Sequence, residues 1–164
     1  MQKIKFISII LSFLLIGNYS FAETFKYDVE VDAKIGDNFR GIEWGTDIST
    51  LKGMHSKGKT LEGIYTYSKE GDDLKIDGLT LKNIEYGFWE GKFCSVQLIV
   101  KEESNWVALK QLTFEKYGEG IEVIKDATQE QYVWQGQMAY IFLMYDRSSN
   151  EGWITITKMT KMTE

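Results

Sequence analysis

The hydrophobic positions of this chain fall in short runs separated by glycine-bearing turns, a spacing that predicts antiparallel strands. Asp77-Gly78 lies between the runs 73–76 and 79–81, Glu90-Gly91 between 84–89 and 93–100, and Gln135-Gly136 between 132–134 and 138–145. Dipeptides of this kind accept the positive φ of a tight hairpin. Asn150-Glu151-Gly152 ends a longer loop before the run 153–157. Alternation within 93–100 puts Cys94, Val96, Leu98 and Val100 on one face and Phe93, Ser95, Gln97 and Ile99 on the other. Ile84, Tyr86 and Phe88 share one side of the preceding strand, and the opposite parity of Leu79 and Leu81 predicts a bulge or turn near Lys82-Asn83.

Two segments read as helical. Residues 104–117 begin with the capping types Ser104 and Asn105 and stop at Gly118, which suits a left-handed C-terminal position. Residues 47–54 follow Thr46 as N-cap, with Gly45 allowing the sharp turn after Trp44. Upstream, Asp28, Glu30 and Asp32 alternate with Val29 and Val31, the pattern of an edge strand with its acidic side in water. In order, the chain reads as an extended stretch, a helix, strands, a helix and strands. That predicts an α+β fold: one antiparallel sheet with two helices on one face, built from a duplicated helix-then-meander unit with repeats at about 39–100 and 101–158.

The first 22 residues stand apart. Lys3 and Lys5 precede an uncharged run over 6–16, and Ser20 and Ala22 supply the small residues of a cleavage site, so 1–22 reads as a secretory signal and 23–164 as a single domain. The apolar run is shorter than the roughly 20 residues a membrane span needs, so no integral span is expected after cleavage. Export implies a periplasmic or secreted protein. Loss of Lys3 and Lys5, with no acid, takes the net charge from -5 to -7, a balance with no attraction for phosphate backbones; nucleic acid is excluded as a partner class. Cys94 is the only cysteine, so no internal disulfide can form, and proline is absent, leaving glycine to make the turns.

The segment Phe39-Arg40-Gly41-Ile42-Glu43-Trp44-Gly45-Thr46, with Leu51 and Met54 after it, resembles a group of small exported bacterial proteins of uncharacterised function. Ile84-Glu85-Tyr86-Gly87-Phe88 and Lys116-Tyr117-Gly118 extend the resemblance over most of the chain beyond the signal. The element order also looks like the β-lactamase inhibitor protein architecture, and this likeness implies modules that present a sheet face to a partner.

Candidate chemistry is sparse. His55 is the single histidine, Cys94 lies in an apolar strand, the 70–73 cluster lacks the ligands of a calcium loop, and Asp28, Glu30 and Asp32 could bridge a hard cation but read as the water side of an edge strand, so neither a cofactor nor a metal is expected. No phosphate loop, nucleophile elbow, zinc or dithiol motif occurs. Aromatic residues are abundant instead: of 23, Phe6, Phe13, Tyr19 and Phe21 leave with the signal and 19 remain. If Ile84, Tyr86, Phe88, Val96, Leu98, Ile154 and Ile156 face the helices, parity sends Trp89, Phe93 and Trp153 to the other side of the sheet, where Tyr132, Trp134, Tyr140 and Phe142 could join them. Trp89, Tyr132, Trp134, Tyr140 and Trp153 are therefore the candidate binding residues of a non-enzymatic module for an envelope protein or glycan. The alternative is a small carboxylate-dependent hydrolase acting on envelope glycans.

Overall fold

The computed structural model describes residues 29–159; residues 1–28, which include the expected signal over 1–22 and Asp28, and the last five residues lie outside them. Strand dominates. A short helix α1 (Val29–Ile35) leads through a small ribbon, β1 (Asn38–Phe39) and β2 (Ile42–Glu43), to a single 3-10 turn at Ile48–Thr50. Then come β3 (Met54–Lys59), β4 (Tyr65–Lys69), a second ribbon β5 (Lys75–Ile76) and β6 (Leu79–Thr80), β7 (Asn83–Trp89) and β8 (Lys92–Lys101). Helix α2 (Glu103–Tyr117) precedes β9 (Ile121–Lys125), β10 (Gln129–Gln135), β11 (Ala139–Asp146) and β12 (Glu151–Lys158). Eight strands form one antiparallel sheet in the order β3-β4-β7-β8-β12-β11-β10-β9, so two meanders meet through their last strands.

This corrects the expected α+β arrangement. Among the described residues only α2 is a sizeable helix. Residues 47–54 make a 3-10 turn and then enter β3, because Asp47 is held by a backbone bridge to Lys92 and its side chain caps Ser49 N–H at 2.9 Å. Asp47, not Thr46, is the cap. The helix expected at 47–54, directly before the first meander, is absent, and α1 lies ahead of the β1–β2 ribbon instead, so the expected helix-then-meander unit is not duplicated. The acidic alternation at 30–32 is helical, not extended: Val31 and Ile35, four residues apart, enter the core together while Glu30 pairs with Lys34.

Helix α2 buries Trp106, Leu109, Thr113 and Tyr117 along one stripe against β8 and β12. Gly118 terminates it at φ 84°, donating its N–H to Phe114 O. No side chain caps the other end; Ser104 and Asn105 lie inside the helix, where Asn105 bonds Lys101 O. The sheet face beneath α2 carries the core rows Trp134–Ile141–Ile156–Val96–Tyr86–Tyr67 and Tyr132–Leu143–Ile154–Leu98–Ile84. A bulge between Gly87 and Phe88 leaves Cys94 as the extra residue of β8, so Phe93 turns into this core against Phe88 and under the stacked Trp44 at 4.6 Å. Phe93 is thus an inner residue, contrary to simple alternation.

Candidate functional site

Register defines the opposite, outer face of the sheet residue by residue. One row runs Ile124, Gln131, Met144, Trp153, Ile99, Asn83; the next Ile121, Val133, Phe142, Thr155, Gln97, Glu85; the third Gln135, Tyr140, Thr157, Ser95, Gly87, Thr66. Glu85 is the one charged residue in the three rows, although charged residues make up 26% of the chain. α1 and the β5–β6 ribbon contact α2 and so belong to the inner side, while Ile64 of the β3–β4 turn packs against the outer rows at Gly87. Charges return only at the margin, where Asp146, Glu151 and Lys101 align at the strand ends.

Of the residues singled out in the sequence, Trp153, Tyr140 and Trp89 occupy this outer face, all half-buried. They do not form one cluster. Trp153 sits between Met144 and Ile99, Tyr140 two rows away, and Trp89 three rows along, about 20 Å by strand rise. Burial pushes the Tyr140 hydroxyl up to about 12. Tyr132 and Trp134 lie on the inner face, each 5% exposed, with edge-on contacts from Phe114 of α2. Trp134 donates its indole N–H to Gly118 O at 3.0 Å, fixing the end of the helix to the sheet. The sequence signal for this placement is the run Gln129, Gln131 and Gln135, whose shared parity marks the outer side of β10.

Sequence reasoning missed the ion pairs inside the fold. Glu130, 3% exposed, accepts from Lys110 at 2.7 Å and from Tyr132 Oη at 2.6 Å and lies 3.5 Å from Arg147. Burial opposes its ionisation, but Lys110 and Tyr132 outweigh burial, and the carboxyl titrates below its ordinary value. Burial and the bonded Glu130 push Tyr132 up in turn. On the other half of the sheet Asp72 takes hydrogen bonds from Arg40 at 2.7 Å and Tyr86 Oη at 2.6 Å, which ties the β1–β2 ribbon to the 70–75 loop. The Tyr86 hydroxyl is raised by burial and then by Asp72. Both clusters join carboxylates to their own counter-charges.

The remaining candidates are spread apart. His55 is exposed on β3, 3.8 Å from Glu70. Cys94 is buried on β8, its thiol raised by burial and directed to Gly87 O at 3.6 Å. Asp32 accepts from the backbone N–H of Gln137 and Met138, tying α1 to the β10–β11 turn. Among the described residues no group of three or more His, Cys, Asp or Glu converges as metal ligands do. A hollow of about 590 Å³ lies on the inner side, between α2 and the two ribbons, with core residues Leu98, Ile154 and Ile156 on its floor. A second hollow of about 210 Å³, between the 68–74 segment and Asn83-Ile84, reaches the outer rows at Asn83.

No protein-family model, curated protein or solved structure matches this chain. Among the described residues no helix is long and apolar enough to cross a membrane.

Proposed function

We propose that this protein is an exported, non-enzymatic binding module that presents the outer face of its sheet to a protein surface. The observation that carries the reading is the depletion of charge over three adjacent rows, from Met144–Trp153–Ile99 through Phe142–Thr155–Gln97 to Tyr140–Thr157–Ser95. Interface cores are marked by this combination of aromatic and methionine side chains with few charges, and not by apolar area as such. Gln97, Gln131 and Thr155 supply donors and acceptors between the apolar residues; Gln97 already bonds Thr155 at 3.1 Å, which orders the face before binding. A broad face of half-buried side chains spread over six strands suits a folded partner better than a small molecule. The basic, apolar and small-residue sequence of 1–22 supports export.

A photoactivatable residue at position 153 should cross-link a defined protein in cells, whereas the same residue at Val107, exposed on the helix side, should not. Equal yields at both positions, or none at 153, would refute the reading.

A further inference from the structure

We infer that the partner of this face is a second copy of the same chain, the two sheets packing face to face about a twofold axis. The inference rests on the reading of the outer rows as a binding face and names what they bind. Its first support is charge. The chain carries 24 acidic against 19 basic residues, so two copies approaching through ordinary surface repel each other, and the outer rows are the broad surface through which they can meet with Glu85 as the single charge contributed by each. A strongly charged partner would find no counter-charge there and would lose solvation on docking.

Polar chemistry is the second support. Gln97, Gln131, Thr155 and Thr157 each both donate and accept, which is what a surface needs when it faces itself across a twofold axis. Area is the third. Six strands at about 4.8 Å spacing and three same-face rows about 7 Å apart cover roughly 600 Å² once side-chain width is included. Standard stable interfaces bury about 800 Å² on each partner, so the face is large enough for a reversible dimer and its charged margin at Asp146, Glu151 and Lys101 fits the position of a rim. Two sheets of equal twist stack readily, about 10 Å apart, with their strands nearly aligned.

The test is sedimentation equilibrium of the purified chain from micromolar to millimolar concentration at low and high salt. A reversible monomer–dimer equilibrium is expected, and it should tighten as salt rises, because salt screens the repulsion between two acidic chains without weakening an uncharged contact. Trp153→Asp, Ile99→Lys and Thr155→Lys should each weaken the dimer by about thirty-fold or more while leaving the melting temperature unchanged at concentrations dilute enough for the natural chain to be monomeric. A chain that stays monomeric throughout overturns the inference. So does a dimer that survives all three substitutions, or one that dissociates as salt rises, since either places the contact elsewhere. The two readings fail differently: a monomer whose Trp153→Asp form is fully stable removes only the second copy as partner. Unfolding by all three substitutions removes the binding face itself, because these side chains would then belong to a second core layer.

Discussion

Gly152 on β12 lies directly beneath Trp106 of α2, and adding one methyl group there tests how α2 is seated. A Cβ on Gly152 would stand 2.7 Å from Cε3 of Trp106 and 3.4 Å from the carbonyl oxygen of Met144. Carbon atoms in contact prefer about 3.5–4.0 Å, so the ring has to retreat by about 1 Å. It has nowhere to go. Trp106 is 2% exposed, stacks on Tyr145 at 5.2 Å with the rings 6° from parallel, and carries the Lys110 ammonium 5.8 Å from its ring. Overpacking a filled core typically costs about 1–3 kcal/mol, and loss of an aromatic stack adds about 1 kcal/mol. Gly152→Ala should therefore destabilise by about 2–4 kcal/mol, lowering the melting temperature by roughly 4–16 °C for a chain of this size. Urea unfolding followed by far-ultraviolet circular dichroism measures it, with the slope against denaturant unchanged. The same substitution in a Trp106→Ala background supplies the control. With the indole gone the methyl meets no ring, and alanine in a strand is favoured over glycine, so the sign should reverse. An unchanged or raised midpoint for Gly152→Ala in the natural background would show that Trp106 does not rest on β12 as described.

Three further outcomes follow from particular contacts. Asp47, Asp126, Glu130 and Asp146 all titrate below their ordinary values of 3.8 or 4.5, Asp47 at about 2, so each stabilises the fold above its unfolded-state value and loses that contribution as pH falls through its folded-state value. The urea midpoint should be level above about pH 5, decline from there towards pH 2, and decline less when Glu130 is replaced by Gln; a midpoint insensitive to acid would contradict these pairings. Trp134→Ala should cost about 3–5 kcal/mol in a denaturation experiment because it empties the core beneath Phe114 and frees Gly118 O, whereas Trp153→Ala should shift the midpoint little. Gly118 combines φ 84° with ψ -179°, a region that L-residues avoid, so Gly118→Ala should cost about 1–3 kcal/mol, and an unaltered midpoint would mean that the helix ends differently.

Local chemistry made part of this fold legible. Asp77-Gly78 and Glu90-Gly91 both form two-residue turns with positive φ at each position, and α2 ends at Gly118 as its sequence implies. What the sequence concealed depends on contacts between distant segments. Five residues of acid–apolar alternation at 28–32 fit a strand, yet the same letters place Val31 four residues before Ile35, and packing against the sheet selects the helix among the described residues. Residues 47–54 contain Ser49, Thr50 and Gly53, weak helix formers, and the bridge from Asp47 to Lys92 decides their conformation. Alternation along β8 fails at Cys94 because a bulge adds a residue there, and this moves Phe93 from one face to the other. Glu130 hid the inner side of β10, since a carboxylate at a core parity reads as solvent-facing until Lys110 and Arg147 are seen beside it. Parity places Trp89 and Trp153 on the outer face and allows Tyr140 to join them, but their separation can be read only from the register of β7, β8, β11 and β12.

The meeting of the two meanders through β8 and β12 sets the order in which the chain becomes safe from aggregation. β8 is ten residues long, rich in apolar and β-branched side chains, and joined on one side to β7 by a turn that forms locally. Its other side waits for β12, which pairs with it from Glu151–Lys101 to Thr157–Ser95 and is synthesised some fifty residues later. Until then a growing or unfolded chain presents β8 as an open edge, the template on which further copies pair. A chain truncated before β12 should therefore accumulate as insoluble aggregate, because the strand that joins the two meanders is also the strand that covers the long apolar edge of β8.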